Sequence, residues 1–313
     1  MKLSISLTLL VSVASLLASP VETPRSFTFE RGLMGTRFVI TCHHSDQAQA
    51  QIAAEAAFTV AQQINDVASD YIADSELLTL SKHPPDKPIT VSPLLFPLIS
   101  QARILAVKTE GYFDPTLGPV TKLWRESRRR KSLPDPLTLS NARAASGWQS
   151  LIVDSLTSTI IFKHAGMRLD LGGIAKGQAA DAMLAAMITH GMPSTCITAG
   201  GDVRLGDPPP NTTGWKIAVR TGNEKESQTL TLANCAVSTS GDLHQYVEID
   251  GLRYSHIIDP ATGLGLTQYR TATVIAPTAT VSDALATACC TAPRNKARAI
   301  ALAAGATEVY LAP

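Results

Sequence analysis

Aromatic side chains are scarce in this chain, at 5% of 313 residues. A surface that stacks single-stranded bases would need more of them. Charge of one sign is also lacking: 27 Lys and Arg stand against 26 Asp and Glu, a net charge of +1. With no global positive field, nucleic acid is not an expected partner. Cysteines are few and scattered. Cys42, Cys196, Cys235, Cys289 and Cys290 form no Cys-x-x-Cys pair, which argues against a zinc site or an iron–sulfur cluster. In an exported protein their odd number leaves at least one thiol free or paired between chains. Cys289 and Cys290 fall in an Ala-rich apolar segment and read as small core residues. No tandem repeat of short period is visible.

What is present begins with an apolar run. Lys2 precedes residues 3–17, mostly apolar, and Ala18-Ser19 offers a small-residue cleavage point before Pro20. This reads as a Sec-type signal peptide over residues 1–19, too short to span a bilayer comfortably. An uncleaved anchor or a buried first helix is the other reading. No Cys follows the run, so lipid attachment is not expected, and the protein is expected to be exported and periplasmic. Residues 20–313, in a chain that is 45% hydrophobic, can bury one large core or two intimately packed halves.

Periodicity predicts strand, with an interrupting turn, over residues 27–41. It predicts helices over 47–66 and 93–110, the second stopped by Gly111. The basic run 125–131, ahead of Pro134 and Pro136, reads as a solvated loop or a phosphate contact. Short strands are expected at 151–153, 159–162, 167–170, 195–199, 216–220, 228–232, 246–249, 254–258, 271–276 and 309–311. Helices are expected at 173–190, 282–290 and 294–304. Strands and helices do not alternate strictly, so the expected class is α+β, with mixed sheets and packed helices.

Several short stretches could carry chemistry. Asp170 ends an expected strand and precedes Gly172-Gly173 and a helix start. Backbone N–H groups there could face a phosphate, with Lys176 one turn inside as a point charge. The spacing fits neither Walker A nor Gly-x-Gly-x-x-Gly, and a purely structural turn is an equal reading. Asp283 and Thr287, four apart, share a helix face. Carboxylate plus hydroxyl suits a hard cation such as Mg²⁺; a helix cap and a core-edge threonine would look the same. His256 ends an expected strand and could take a proton from a hydroxyl, or be structural. Tyr112 and Phe113, beside Asp114, could pack on a planar ring or close a core, and Tyr71 is equally ambiguous.

Taken jointly and in order, Met34-Gly35-Thr36, Gly111-Tyr112-Phe113-Asp114-Pro115, residues 170–177, Ala199-Gly200-Gly201-Asp202, residues 238–242, residues 256–263 and residues 282–287 strongly resemble the FAD:protein FMN transferase family, the ApbE-like flavin transferases. The similarity runs from about Arg31 to Ala288. The resemblance implies a T-fold-like architecture and an enzyme that binds FAD with Mg²⁺, splits its pyrophosphate and joins FMN by a phosphoester to a Thr or Ser of a target protein, releasing AMP. It implies acceptor flavoprotein subunits of membrane-associated electron-transfer complexes as partners. It places Met34, Tyr71, Tyr112, Phe113, Asp114, Asp170, Lys176 and Ile257 around FAD. It puts the Gly173 backbone oxygen, Asp283 and Thr287 around the metal, and His256 as the base that activates the acceptor hydroxyl. Two departures stand out. Asp70 precedes Tyr71 where many relatives carry a small hydroxyl residue, with Ile72 after it, and several relatives have an acidic residue where Lys176 stands. Two rival functions share these residues. One is a Mg²⁺-dependent FAD pyrophosphatase, in which water replaces the acceptor. The other is a non-catalytic exported flavin-binding protein, which would need neither His256 nor the metal pair.

Overall fold

The chain described by the computed structural model starts with a hairpin, β1 (Arg25–Leu33) and β2 (Thr36–His44), paired from Arg25↔His44 to Leu33↔Thr36. Met34 and Gly35 make its two-residue turn at φ 50° and 71°, the left-handed geometry that matches strand twist. The structure describes residues 23–220, 227–241 and 245–312. The expected signal segment, residues 1–19, and Asp242 lie outside the described residues.

Helix α1 (Gln47–Ala68) is capped by Asp46, whose carboxylate accepts from the N–H groups of Ala48 and Gln49 at 2.7 and 3.2 Å. Its buried stripe is mostly alanine, so a neighbouring helix can approach closely. The short α2 (Glu76–Leu80) and β3 (Ile89–Thr90) lead to α3 (Phe96–Lys108), α4 (Gly118–Arg130) and α5 (Pro136–Ala144). Next come β4 (Leu151–Asp154) and β5 (Thr159–Phe162), which join β3 in a small sheet of order β3-β5-β4. Helix α6 (Ala175–Thr189) precedes β6 (Thr195–Ala199), β7 (Asp202–Leu205), β8 (Trp215–Arg220), β9 (Ser227–Leu232) and β10 (Ala236–Gly241). The chain continues through β11 (Tyr246–Ile249), β12 (Leu252–Ser255), β13 (Thr271–Ala276), α7 (Ala279–Thr291), α8 (Arg294–Ala304) and β14 (Glu308–Ala312).

The main sheet has seven strands in the order β1-β2-β6-β7-β10-β13-β14, with antiparallel pairs throughout. Helices α1, α6, α7 and α8 contact one another in that order, with α6 on β6 and β7 and α7 on β10 and β13. The largest core cluster runs in sequence from Leu33 to Val309. The β8–β9 hairpin contributes Val219 to a separate cluster with Val237 and Ile275. Helices layered on an antiparallel sheet make the expected α+β class. All five cysteines are free thiols; Cys289 and Cys290 are buried in α7, as expected of small core residues.

Three local expectations fail. Residues 125–130 are not a loop but the end of α4, closed by Lys131 at φ 54°. Val120, Trp124 and Ser127 form its buried stripe, and the Trp124 indole N–H donates to the Ser255 carbonyl at 3.0 Å. Residues 167–170 are extended but make only one bridge, Arg168 to Leu117, because the neighbouring chain is the turn before α4 rather than a strand. Strand β12 ends at Ser255, short of the expected 258.

Candidate functional site

The site is built where α6, α7 and the turn after β6 meet. Gly200 and Gly201, at φ 62° and 117°, turn β6 into β7 in a geometry that favours glycine and swing Asp202 back over α6. Lys176, in the first turn of α6, places its ammonium 2.9 Å from Asp202 and 3.1 Å from Asp283. The contact to Asp202 is ionic rather than a well-directed hydrogen bond. Asp283 also accepts the Gly177 N–H at 3.2 Å. Burial works against the Lys176 charge, but the two carboxylates outweigh it and raise its pKa. Burial, and then the neighbouring Asp202, push the Asp283 carboxyl up to about 6 despite Lys176.

Asp181 sets the position of α7. Its carboxylate accepts from Ala279 N, Thr280 N and Thr280 Oγ1 at 2.9, 2.8 and 2.6 Å, and from Arg204 Nε at 2.7 Å. Asp283 is therefore delivered from a helix start held by three hydrogen bonds to Asp181, which Arg204 in turn holds in place. One turn on, Thr287 lies beside Gly173: a Cβ there would sit 3.2 Å from Thr287 Oγ1 and 3.4 Å from the Phe113 ring. Ser240 Oγ of β10 is 3.2 Å from the same Thr287 oxygen. The fold thus brings together Gly173, Thr287 and Phe113. It also brings Lys176 to Asp283.

Asp114 holds the turn after α3. It accepts from Thr116 N and Oγ1 at 2.8 and 2.6 Å and from Trp148 N at 3.1 Å. Burial pushes its pKa up while these donors pull against it. The Tyr112 carbonyl accepts from Thr291 Oγ1, tying this turn to the end of α7. Asp170 accepts the Gly172 N–H at 2.8 Å, and its own N–H donates to Pro115 O at 2.8 Å. Met34 occupies the β1–β2 turn. Tyr71 is 77% exposed, with the Arg125 guanidinium 4.2 Å over its ring.

His256 follows β12. Its Nδ1 is 3.1 Å from the Gln245 carbonyl, which can only accept, so the neutral ring carries its proton on Nδ1 and its lone pair on Nε2. Ile257 and Ile258 anchor it by packing into two different core clusters. Between β10, which touches Thr287, and Gln245, residues 242–244 lie outside the described residues.

Sequence reasoning did not single out Arg125, Asp181 or Trp124. Arg125 was submerged in a basic run; the signal that could have found it is Trp124 at helical spacing from Val120. Asp202 was legible only as the end of a Gly-Gly-Asp turn, and its partner Lys176 is set by tertiary contact.

Among the described residues no group of three or more His, Cys, Asp or Glu side chains could hold a metal ion. The side-chain oxygens around Thr287 are instead its own hydroxyl, that of Ser240 and, one turn back on α7, the Asp283 carboxylate. That sparse hard-donor set is of the kind Mg²⁺ takes.

A family model described as the ApbE family matches residues 34–311. An FAD:protein FMN transferase of Treponema pallidum is 34% identical over 260 residues, covering 77% of this chain and 72% of that protein. One of Chlamydia pneumoniae is 31% identical over 228 residues, covering 72% and 71%. The solved structure of the ApbE protein of Thermotoga maritima superposes with a TM-score of 0.82 at 28% identity, covering 92% of this chain and 94% of that one. The flavin transferase ApbE of Vibrio cholerae superposes at 0.79 and 26% identity, covering 92% and 97%. The fold is therefore the one seen in solved flavin transferases. The chain belongs to the ApbE family.

Proposed function

We propose that this chain is a flavin transferase that takes FAD as its donor and joins FMN by a phosphoester to a Thr or Ser hydroxyl of an acceptor protein, releasing AMP. The activity for which the relatives are named supports this reading. So does one observation: the fold sets Gly173 against Thr287 one turn beyond Asp283, a donor set that fits a hard cation, as the pyrophosphate of FAD requires. In this reading Asp283, Thr287 and the Gly173 carbonyl hold Mg²⁺. The ion, when bound, would neutralise charge on the phosphates as the P–O bond breaks.

The chain's own residues account for the rest. His256, its Nδ1 proton directed at Gln245, offers Nε2 as the base. The acceptor oxygen bonds to the FMN phosphorus, its proton passes to Nε2, and the P–O bond to AMP breaks. Lys176 offsets part of the charge of Asp202 and Asp283 and keeps the Asp283 carboxylate oriented. Met34, Tyr71, Tyr112, Phe113, Asp114, Asp170 and Ile257 form the FAD-binding surface. We propose further that residues 1–19 direct export to the periplasm, and that the acceptors are flavoprotein subunits of membrane-associated electron-transfer complexes.

The test is incubation with FAD, Mg²⁺ and such an acceptor subunit. A fluorescent adduct surviving a denaturing gel, with the mass of one FMN on a single hydroxyl residue, is the expected result. Free FMN and AMP with no adduct would instead make the protein an FAD pyrophosphatase. Bound FAD left intact would make it a flavin-binding protein.

A further inference from the structure

Arg125 stands at the centre of a small charge cluster that joins three parts of the chain. One guanidinium nitrogen donates to the Asp70 carboxylate, 55 residues away in sequence. Another is 3.5 Å from the Asp170 carboxylate. The guanidinium plane also covers one face of the Tyr71 ring, a stack that Arg favours over Lys. Arg168 Nη2 donates to the Asp70 carbonyl at 3.0 Å and adds a second positive charge. The Asp70 and Asp170 side chains are only 8% and 16% exposed. Burial and Asp170 both push the Asp70 pKa up, and Arg125 and Arg168 oppose them. Arg125 itself ends above its usual pKa, the two carboxylates outweighing its burial. Without Arg125, two poorly hydrated carboxylates would lose their shared counter-charge, and the Tyr71 ring would lose the guanidinium that lies over it.

We propose that Arg125 is a positioning residue of the flavin site: it holds the Asp170 carboxylate and the Tyr71 ring in a fixed mutual geometry, so that the open face of the ring meets a flat heterocycle of FAD already oriented. The inference rests on the flavin-transferase reading of this site. Arg125 acts through its partners, by charge balance with Asp70 and Asp170 and by stacking on Tyr71. A ring ordered in advance loses less freedom on binding, so the effect falls on affinity.

Three variants test this in the full-length protein: Arg125→Met, Asp70→Asn and the double variant. FAD affinity is read by flavin fluorescence, and KM and kcat by adduct formation. Arg125→Met should weaken FAD binding and raise KM about tenfold, with kcat at saturating FAD changed less than about threefold. The double variant should regain part of the lost affinity, because a neutral amide in place of the Asp70 carboxylate no longer repels Asp170. An unchanged FAD affinity in Arg125→Met overturns the proposal. So does a double variant no better than Arg125→Met, which would mean that Arg125 touches FAD directly. If Arg125→Met does not fold, Arg125→Lys serves: a partial loss of affinity supports the role, and parental affinity refutes it. A parent protein that binds no FAD would sink the flavin reading and this proposal together, whereas equal FAD binding by parent and Arg125→Met would sink only the latter.

Discussion

Gly177 of α6 lies against the carbonyl oxygen of Ala279 at the start of α7: a Cβ on Gly177 would come within 2.2 Å of that oxygen and 2.8 Å of Thr280 N. The glycine in this stretch thus serves a helix crossing. That crossing places the Gly177 N–H and Lys176 ammonium on Asp283. Gly177→Ala tests it. In an open helix the change would favour folding by about 1 kcal/mol. Here backbone must move, and overpacking typically costs about 1–3 kcal/mol. We expect a lower melting temperature and weaker Mg²⁺ binding. A higher melting temperature would show that the crossing is looser than described.

Removing the base separates binding from chemistry. His256→Ala is expected to lower transfer about 10²–10⁴-fold, the usual range for general-base help, while FAD affinity stays within about twofold of the parent. Single-turnover transfer at saturating FAD and Mg²⁺ measures this. Equal rates for variant and parent would remove His256 from the reaction.

Asp283 ties metal affinity to pH. Asp283→Ala should abolish the Mg²⁺ dependence of FAD turnover or shift it to much higher concentration. An unaltered Mg²⁺ titration would exclude Asp283 as a ligand. In the parent, a proton and the cation compete for the same carboxylate. Burial, with Asp202, raises this group from 3.8 to about 6. Mg²⁺ affinity should therefore be constant at neutral pH and fall on acidification through about 6, by up to about tenfold per pH unit. For folding without metal the sign is opposite. A raised pKa favours the protonated group in the native state, so its contribution is present below 3.8 and is lost as pH rises through about 6. Calorimetric Mg²⁺ titrations at several pH values would detect the first effect. An affinity independent of pH between 5 and 8 would contradict it.

Asp181 should matter to stability and to the metal together. Asp181→Ala removes the acceptor for the first N–H groups of α7 and the partner of Arg204. Loss of acceptors at a helix start costs about 0.5–2 kcal/mol; Arg204 loses its carboxylate partner but keeps the Leu205 and Cys235 carbonyls. We expect a urea midpoint lowered by an amount worth about 2 kcal/mol, an unchanged slope, and reduced Mg²⁺ affinity. An unchanged midpoint would mean that α7 is positioned by its core face alone.

Much of this protein was legible in its residue order. The α+β class, the span of helix α1, a turn interrupting the strand around Gly32 and Gly35, and α7 with Asp283 and Thr287 one turn apart all follow from local rules, because helix periodicity, turn geometry and the i,i+4 relation are properties of contiguous chain. The buried face of α1 does not, since Ile52, at helical spacing with Ala56 and Val60, is 61% exposed. The ordered motifs also pointed to the family that the comparisons then established. The last turns of α4 were not legible: Arg125–Arg130 read as a solvated basic run, since what makes them helical is Trp124 reaching Ser255 across the fold. The same holds for the partners of Lys176. Its neighbours in sequence suggest a phosphate contact, yet its ammonium is committed to Asp202 and to Asp283, the latter 107 residues distant. Charge pairing between remote segments depends on which surfaces the core presses together, and only the assembled sheet and helices decide that.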